Sequence, residues 1–282
     1  MTDLSFQDWV GREQRARDVV SGSAIQRLAA LLDHASPPWP DDTLPPLGHW
    51  LHFAESAPQS ALGDDGHARR GDFLPPIDLP RRMWASSDIE FLKPIRVGEQ
   101  MERRSTISQI TRKQGKAGPL VFVRIVHEIS AAHGVAIREA QDLVYQEKPG
   151  AGAPVPPSSG EECHRSEIVQ VVRPDALLLF RYSALTYNSH RIHYDAPYAT
   201  AVEGYSGLVV HGPLLATLLL DLFHRHHTGG PITGFRFRAY RPLFAGEQAV
   251  LSVTRTPSGA TLCAGGPDGM RRMTAEVTTR ER

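Results

Sequence analysis

The stretch Leu185-Thr186-Tyr187-Asn188-Ser189-His190-Arg191-Ile192-His193-Tyr194-Asp195 gathers two histidines, an asparagine and a tyrosine into one polar loop. His211-Gly212-Pro213-Leu214-Leu215 follows, a glycine opening an apolar run with proline suited to a first helical turn. An imidazole moves protons near neutral pH. A helix N-terminus offers free N–H groups to a developing oxyanion. The two together suit chemistry on a carbonyl. The structural alternative is a polar loop that caps a core helix, and a lone histidine would favour it. Four polar side chains packed into one loop favour a site.

Such a loop needs elements to hold it. Leu208 to Phe223 reads as a helix, and its apolar run from Gly212, broken by Thr217 and Asp221, is too short for a membrane span. Ser23 to Asp33 places Ile25, Leu28, Ala29 and Leu32 on one helical face, with Ser21 or Ser23 as cap. Strand-like runs occupy Met101 to Ile110, Leu120 to Ile129, Arg138 to Tyr145, Phe235 to Tyr240, Ala249 to Thr254 and Arg271 to Val277. One helix followed by antiparallel strands, twice over, implies an α+β chain in which curved sheets wrap helices.

The chain also repeats itself. Glu90-Phe91-Leu92-Lys93-Pro94-Ile95-Arg96-Val97-Gly98-Glu99-Gln100 is echoed from Ala239 to Gln248, and Pro94 matches Pro242, 148 residues on. That offset is about half the chain, which argues for two copies of one unit. The division expected is residues 1–148, a linker at 149–165 rich in proline, glycine and serine, and residues 166–282. The first unit has no counterpart of Asn188 or His193. It is expected to be catalytically degenerate and to wall the substrate cleft, with Leu47 to Asp78 as a partly mobile segment and His52 as a structural histidine.

Composition excludes several classes. Lys plus Arg and Asp plus Glu each number 31, so there is no electrostatic case for nucleic acid. Cys163 and Cys263 are too few for a disulfide framework and lack a metal-type spacing, which fits a reduced, cytoplasmic setting. The run His224-Arg225-His226-His227 resembles a metal motif, yet positive groups at a helix C-terminus need no metal.

His193-Tyr194-Asp195, with Asn188 five residues before the histidine and His211-Gly212 after it, resembles the MaoC-like hydratase/dehydratase family. The nearest branch is the two-domain one of mesaconyl-C4-CoA and itaconyl-CoA hydratases and mitochondrial 3-hydroxyacyl-thioester dehydratases. The resemblance is strongest from about Phe180 to Ala249. It implies a double hot dog fold and reversible addition of water to the α,β-double bond of an enoyl-CoA. His193 then activates water, Asn188 and His190 position it, and the Gly212 N–H stabilises the thioester enolate. Tyr187 and His211 flank the substrate, although His211 also suits a packing or capping role. Most of the family carries aspartate where this chain has Asn188, and an amide cannot accept a proton at ordinary pH. Either His193 makes both transfers or another group supplies the second. Asp195 is the nearest carboxylate and equally suits a turn.

Arg191 stands where the family has a neutral proline. It suits the free carboxylate of a branched C4-dicarboxylic mono-thioester such as mesaconyl-C4-CoA or itaconyl-CoA, or else a local ion pair with Asp195 or Glu203. No metal or redox cofactor is expected, because CoA is part of the substrate. A homodimer through exposed sheet edges stays open. The alternatives are a 3-hydroxyacyl-thioester dehydratase of fatty acid synthesis, a hot-dog thioesterase, and a non-catalytic acyl-thioester-binding module.

Overall fold

A computed structural model describes residues 6–40, 42–115, 118–148, 162–163, 166 and 168–280. Of the expected linker at 149–165, all but Glu162 and Cys163 lie outside the described residues. The alternating runs form long strands: β1 Glu13–Val19, β2 Arg81–Phe91, β3 Gln100–Gly115, β4 Gly118–Ala131 and β5 Gly134–Gln146 in the first half. The second half contributes β6 Ile168–Val172, β7 Ile232–Ala239, β8 Ala249–Thr256, β9 Gly259–Gly265 and β10 Arg271–Thr279. The helices are α1 Gly22–Leu31, α2 Ala176–Thr186 and α3 Gly212–His226. Local chemistry sets their starts. Ser21 Oγ accepts the Ala24 N–H at the head of α1, Asp175 Oδ1 accepts the Leu178 N–H at the head of α2, and Pro213 sits in the first turn of α3.

All ten strands join one antiparallel sheet in the order β1-β3-β4-β5-β2-β7-β10-β9-β8-β6. The two halves of that order mirror each other about the β2–β7 contact. There Asp88 faces Arg236, and their side chains pair at 2.7 Å. These two residues are 148 positions apart, the offset of the sequence repeat, so the internal twofold passes through this pair. The repeat and the sheet report the same symmetry. Buried Phe235, Phe237, Ile89, Leu214, Leu219 and Leu251 belong to one apolar core that spans both halves.

The halves differ in their helices. The second half wraps α3 against β8, β9 and β10. In the first half α1 follows β1 as α2 follows β6, and α1 packs on α2. The sequence reading of α1 as the counterpart of α3 is therefore corrected: α1 corresponds to α2. Where a second α3 would lie, the described residues of 34–80 make only short 3-10 turns at Gly48–Leu51 and Gln59–Ala61. Pro37, Pro38, Pro40, Pro45, Pro46 and Pro58 explain this, since each removes an N–H donor and blocks helix propagation. The space a helix would have filled becomes a cavity.

One further expectation changes. Cys163 and Cys263 form a disulfide, because the Glu162–Met270 bridge brings the end of the linker beside β9. Among the described residues no helix is long and apolar enough to cross a membrane.

Candidate active site

The histidine loop grows from the end of α2. Tyr187 takes the left-handed conformation, φ 53°, and the Asn188 N–H returns to the Ser183 carbonyl, so the chain turns sharply out of the helix. Asn188 Oδ1 then accepts the His190 N–H at 3.0 Å, closing a side-chain turn. A 3-10 turn at Arg191–His193 carries His193 inward, where it is buried.

His193 Nδ1 lies 2.7 Å from the Val209 carbonyl. A carbonyl only accepts, so Nδ1 holds the imidazole proton and Nε2 is left as a bare acceptor. Burial holds the imidazole down, to a pKa of about 4, against the opposing pull of the Val209 hydrogen bond. At neutral pH His193 is therefore neutral and can accept a hydrogen bond from water. The His211 ring stacks on it at 3.6 Å between centroids, and His211 Nε2 is fixed by Ser183 Oγ at 2.8 Å. Burial and the neighbouring histidines hold His211 neutral too.

Gly212 opens α3 beside this pair. Among the described residues its N–H has no partner, and a Cβ added there would meet only the Trp84 carbonyl at 3.8 Å. The first N–H of the helix is thus free toward the cavity, with the helix dipole behind it.

The first half supplies groups the sequence reading passed over. Residues 63–69 dock onto the histidine loop. The Arg191 N–H bonds the Asp65 carbonyl at 2.9 Å, and Ser189 Oγ donates to the Gly66 carbonyl. This brings His67 to 4.1 Å from His190, ring to ring, and His190 to 5.3 Å from His193. Asp65 Oδ2 lies 2.9 Å from His67 Nδ1, and Asp65 Oδ1 accepts the His67 N–H. Burial pushes the Asp65 carboxyl up, but its hydrogen bonds and charge interaction with His67 outweigh burial and hold it well below the usual carboxylate range. Burial and the Arg82 guanidinium push His67 down against the upward pull of Asp65. Burial, His67 and His193 push His190 down as well. Atoms of Asp65, His67 and His190 that can bind a cation lie within 4.8 Å of one another, but the direct hydrogen bond makes Asp65 and His67 a carboxylate–imidazole dyad. The signal was present as Asp65-Gly66-His67, a carboxylate and a histidine either side of a turn residue.

These groups line an open cavity of about 490 Å³. His193, His190, Asn188, Tyr187 and Gly212 all face it, with His67. Arg191 and His211 do not line it. The Arg191 guanidinium pairs with Asp195 at 2.7 Å, donates to the Asp64 carbonyl and lies over the Tyr198 ring. Asp195 in turn accepts the Tyr198 N–H, so it serves the loop. His52 bonds Gly48 and Ser21 and is structural. The floor of the cavity, in the half that lacks a second α3, is polar: His127 and Gln141 face it beside Arg82 and Arg103. Among the described residues neither arginine is in a close ion pair, although the Glu139 and Glu55 carboxylates act on Arg103. Arg82, on β2, acts electrostatically on both His67 and His190.

A family model for hydroxyacyl-thioester dehydratase type 2 matches residues 47–245. The chain is 46% identical over 280 residues to a mesaconyl-C(4)-CoA hydratase of Chloroflexus aurantiacus, covering 98% of this chain and 99% of that protein. Among solved structures it resembles a MaoC-like dehydratase from Phytophthora capsici, with TM-score 0.68, 13% identity, and 96% and 97% of the two chains covered. It also resembles a Mycobacterium tuberculosis protein described as a double hotdog fold, with TM-score 0.56, 13% identity, and 97% and 96% covered. At such identities the structural likeness is one of fold, and it agrees with the sheet order above. The family match and the near full-length relative carry more: this chain belongs to the hydroxyacyl-thioester dehydratase type 2 family of double-hot-dog hydro-lyases.

Proposed function

We propose that the protein adds water reversibly to the α,β-double bond of a branched C4-dicarboxylic mono-thioester such as mesaconyl-C4-CoA. The observation that carries this is the bare Nε2 of His193 in the same cavity as the free Gly212 N–H. As water bonds the β-carbon, the π pair moves toward the thioester oxygen, and a fixed N–H at that oxygen is worth about 3 kcal/mol in the transition state. His193 holds the attacking water by accepting a hydrogen bond from it at Nε2. Asn188 supports the loop through its oxygen, and His190 lines the approach. The C-terminal unit, 166–282, supplies these groups, and the N-terminal unit, 1–148, walls the acyl group.

The free carboxylate of mesaconyl-C4-CoA sits on the carbon that water attacks, so its partner must stand beside the histidines. Arg82 meets that requirement; Arg191, committed to Asp195, does not. Losing a charge-assisted contact costs about 2 kcal/mol, roughly thirtyfold in kcat/KM. Arg82→Met is therefore expected to lose about that factor on mesaconyl-C4-CoA and far less on crotonyl-CoA, which has no carboxylate. Arg191→Met is expected to weaken both substrates alike, as a loop support would. Equal losses for Arg82→Met on the two substrates would remove it as the carboxylate reader. Thiol release from a saturated acyl-CoA would instead favour a thioesterase.

We place the protein in the cytoplasm, the setting that suits a CoA thioester substrate, although a Cys163–Cys263 disulfide is uncommon there. Protein purified under thiol-blocking conditions is expected to keep the Cys163–Cys263 bond, since Cys263 is buried, and two free thiols would show that the pair opens in that setting. The edge strands β1 and β6 are the surfaces on which a homodimer would form, with Val169 and Val171 exposed on β6.

A further inference from the structure

Hydration needs a group that takes a proton from water and returns one to the α-carbon. Asn188 in the histidine loop is an amide, which cannot carry a proton at ordinary pH, and its oxygen is committed to the His190 N–H. His193 is a poor home for the travelling proton. Its Nδ1 faces a neutral carbonyl, its ring is stacked on His211, and among the described residues no carboxylate pairs with it. An imidazolium formed there would be buried without a counter-charge.

His67 is placed differently. It faces the same cavity, reaches it from the other half of the molecule, and has Asp65 behind it. A carboxylate on Nδ1 fixes the tautomer, leaves Nε2 as the proton acceptor and stabilises the imidazolium that forms, the logic of a Ser-His-Asp triad. Two further contacts hold the dyad in place. Asp65 Oδ1 accepts the His67 N–H, and the Asp65 carbonyl accepts the Arg191 N–H.

Resting on the hydratase reading above, we propose that His67, oriented by Asp65, is the residue that carries the proton. Water gives one proton to His67 Nε2 while its oxygen bonds the β-carbon, and its other hydrogen stays on the oxygen, held by His193 Nε2. The carbon–carbon π pair becomes the enolate of the thioester, with its oxygen at the Gly212 N–H. The His67 imidazolium then delivers the same proton to the α-carbon, and the enolate collapses to the saturated thioester. One water is consumed, the enzyme returns to its starting protonation, and no co-reactant is needed. In the reverse direction His67 takes the α-proton and gives it to the departing hydroxide. The proton carrier for the histidine loop thus comes from a segment 123 residues earlier in the chain.

The test uses the full chain with mesaconyl-C4-CoA and crotonyl-CoA as probes, following loss of enoyl absorbance. His67→Gln, which keeps hydrogen-bonding capacity but cannot carry a proton, is expected to lower kcat by about a hundredfold or more, with KM within about threefold. Asp65→Asn adds a readout that a structural role would not move. Asp65 raises the His67 pKa, so removing its charge should shift the acidic limb of the kcat/KM profile to lower pH. The other groups acting on His67 are Arg82 on β2, Glu55 in the preceding segment, and His190 and His193 in the histidine loop; they stay constant in that comparison. Far-UV circular dichroism and the unfolding midpoint establish that each variant is folded. If one misfolds, His67→Asn stands in under the same criteria. An active wild type with a His67→Gln kcat within threefold overturns the proposal and leaves the hydratase reading intact. So does wild-type activity lost to a chelator and restored by a divalent cation. A wild type inert toward every enoyl-CoA overturns both.

Discussion

His193→Ala is expected to lower hydration by at least about a hundredfold in a folded protein. The magnitude is that of misplacing the attacking water by about 1 Å. Three features motivate it. Nδ1 is locked to the Val209 carbonyl, Nε2 is bare, and the ring is held against His211, so the acceptor has one orientation. Alanine leaves water without this partner and leaves the Val209 carbonyl without its donor. Turnover near wild type in a folded His193→Ala variant would remove His193 from the mechanism. The same substitution should alter acid stability. In the folded chain the His193 pKa is held at about 4 by burial, against 6.5 ordinarily. The stability that depends on a neutral His193 is fully present above about pH 6.5 and is lost as pH falls through about 4, because the unfolded chain takes up the proton first. Denaturant midpoints measured between pH 7 and 4 should fall less steeply in His193→Ala than in wild type. Parallel curves would show that the histidine is not buried neutral.

Gly66→Ala is expected to lower kcat/KM by about a hundredfold while leaving the fold in place. Gly66 has φ +88°, and a Cβ there would stand 2.0 Å from the Ser189 carbonyl oxygen and 3.0 Å from its carbon. Both atoms are backbone, so no side chain can move aside. A residue other than glycine in such a conformation costs about 1–3 kcal/mol even in open space. The chain's escape is to separate residues 63–69 from the histidine loop, which moves His67 away from His190. A displacement of about 1 Å at a catalytic group is enough for losses near a hundredfold. The substitution touches neither the sheet nor α3, so the protein should stay folded, with an unfolding midpoint lowered by an amount similar to that of Gly71→Ala. A folded Gly66→Ala protein with wild-type kinetics would mean that docking of the two loops has no part in catalysis. Gly71→Ala makes a fitting control. It also has positive φ, +107°, but a Cβ there meets nothing within 4 Å.

Much of this molecule was legible from local pattern. Gly212-Pro213 and the apolar run behind it specify a buried helix. The alternating runs specify strands, and the repeat offset of 148 anticipates the Asp88–Arg236 pair on the internal twofold. The histidine loop announced itself because its chemistry-bearing residues are close in sequence. Elements whose burial is not periodic went unseen. β1 reads Glu-Gln-Arg-Ala-Arg-Asp-Val and pairs at a sheet edge with little buried surface. α2 exposes Leu177 and Phe180, so its apolar face is not sharply one-sided. Tertiary structure alone decided that Arg191 braces the loop, that Arg82 faces the cavity beside the histidines, and that Asp65 and His67 join a site built more than a hundred residues away. The reason is physical. Hydrophobic period and turn chemistry act over a few residues, whereas the docking of residues 63–69 on the histidine loop depends on the twofold sheet and on the space left where the first half has no second α3.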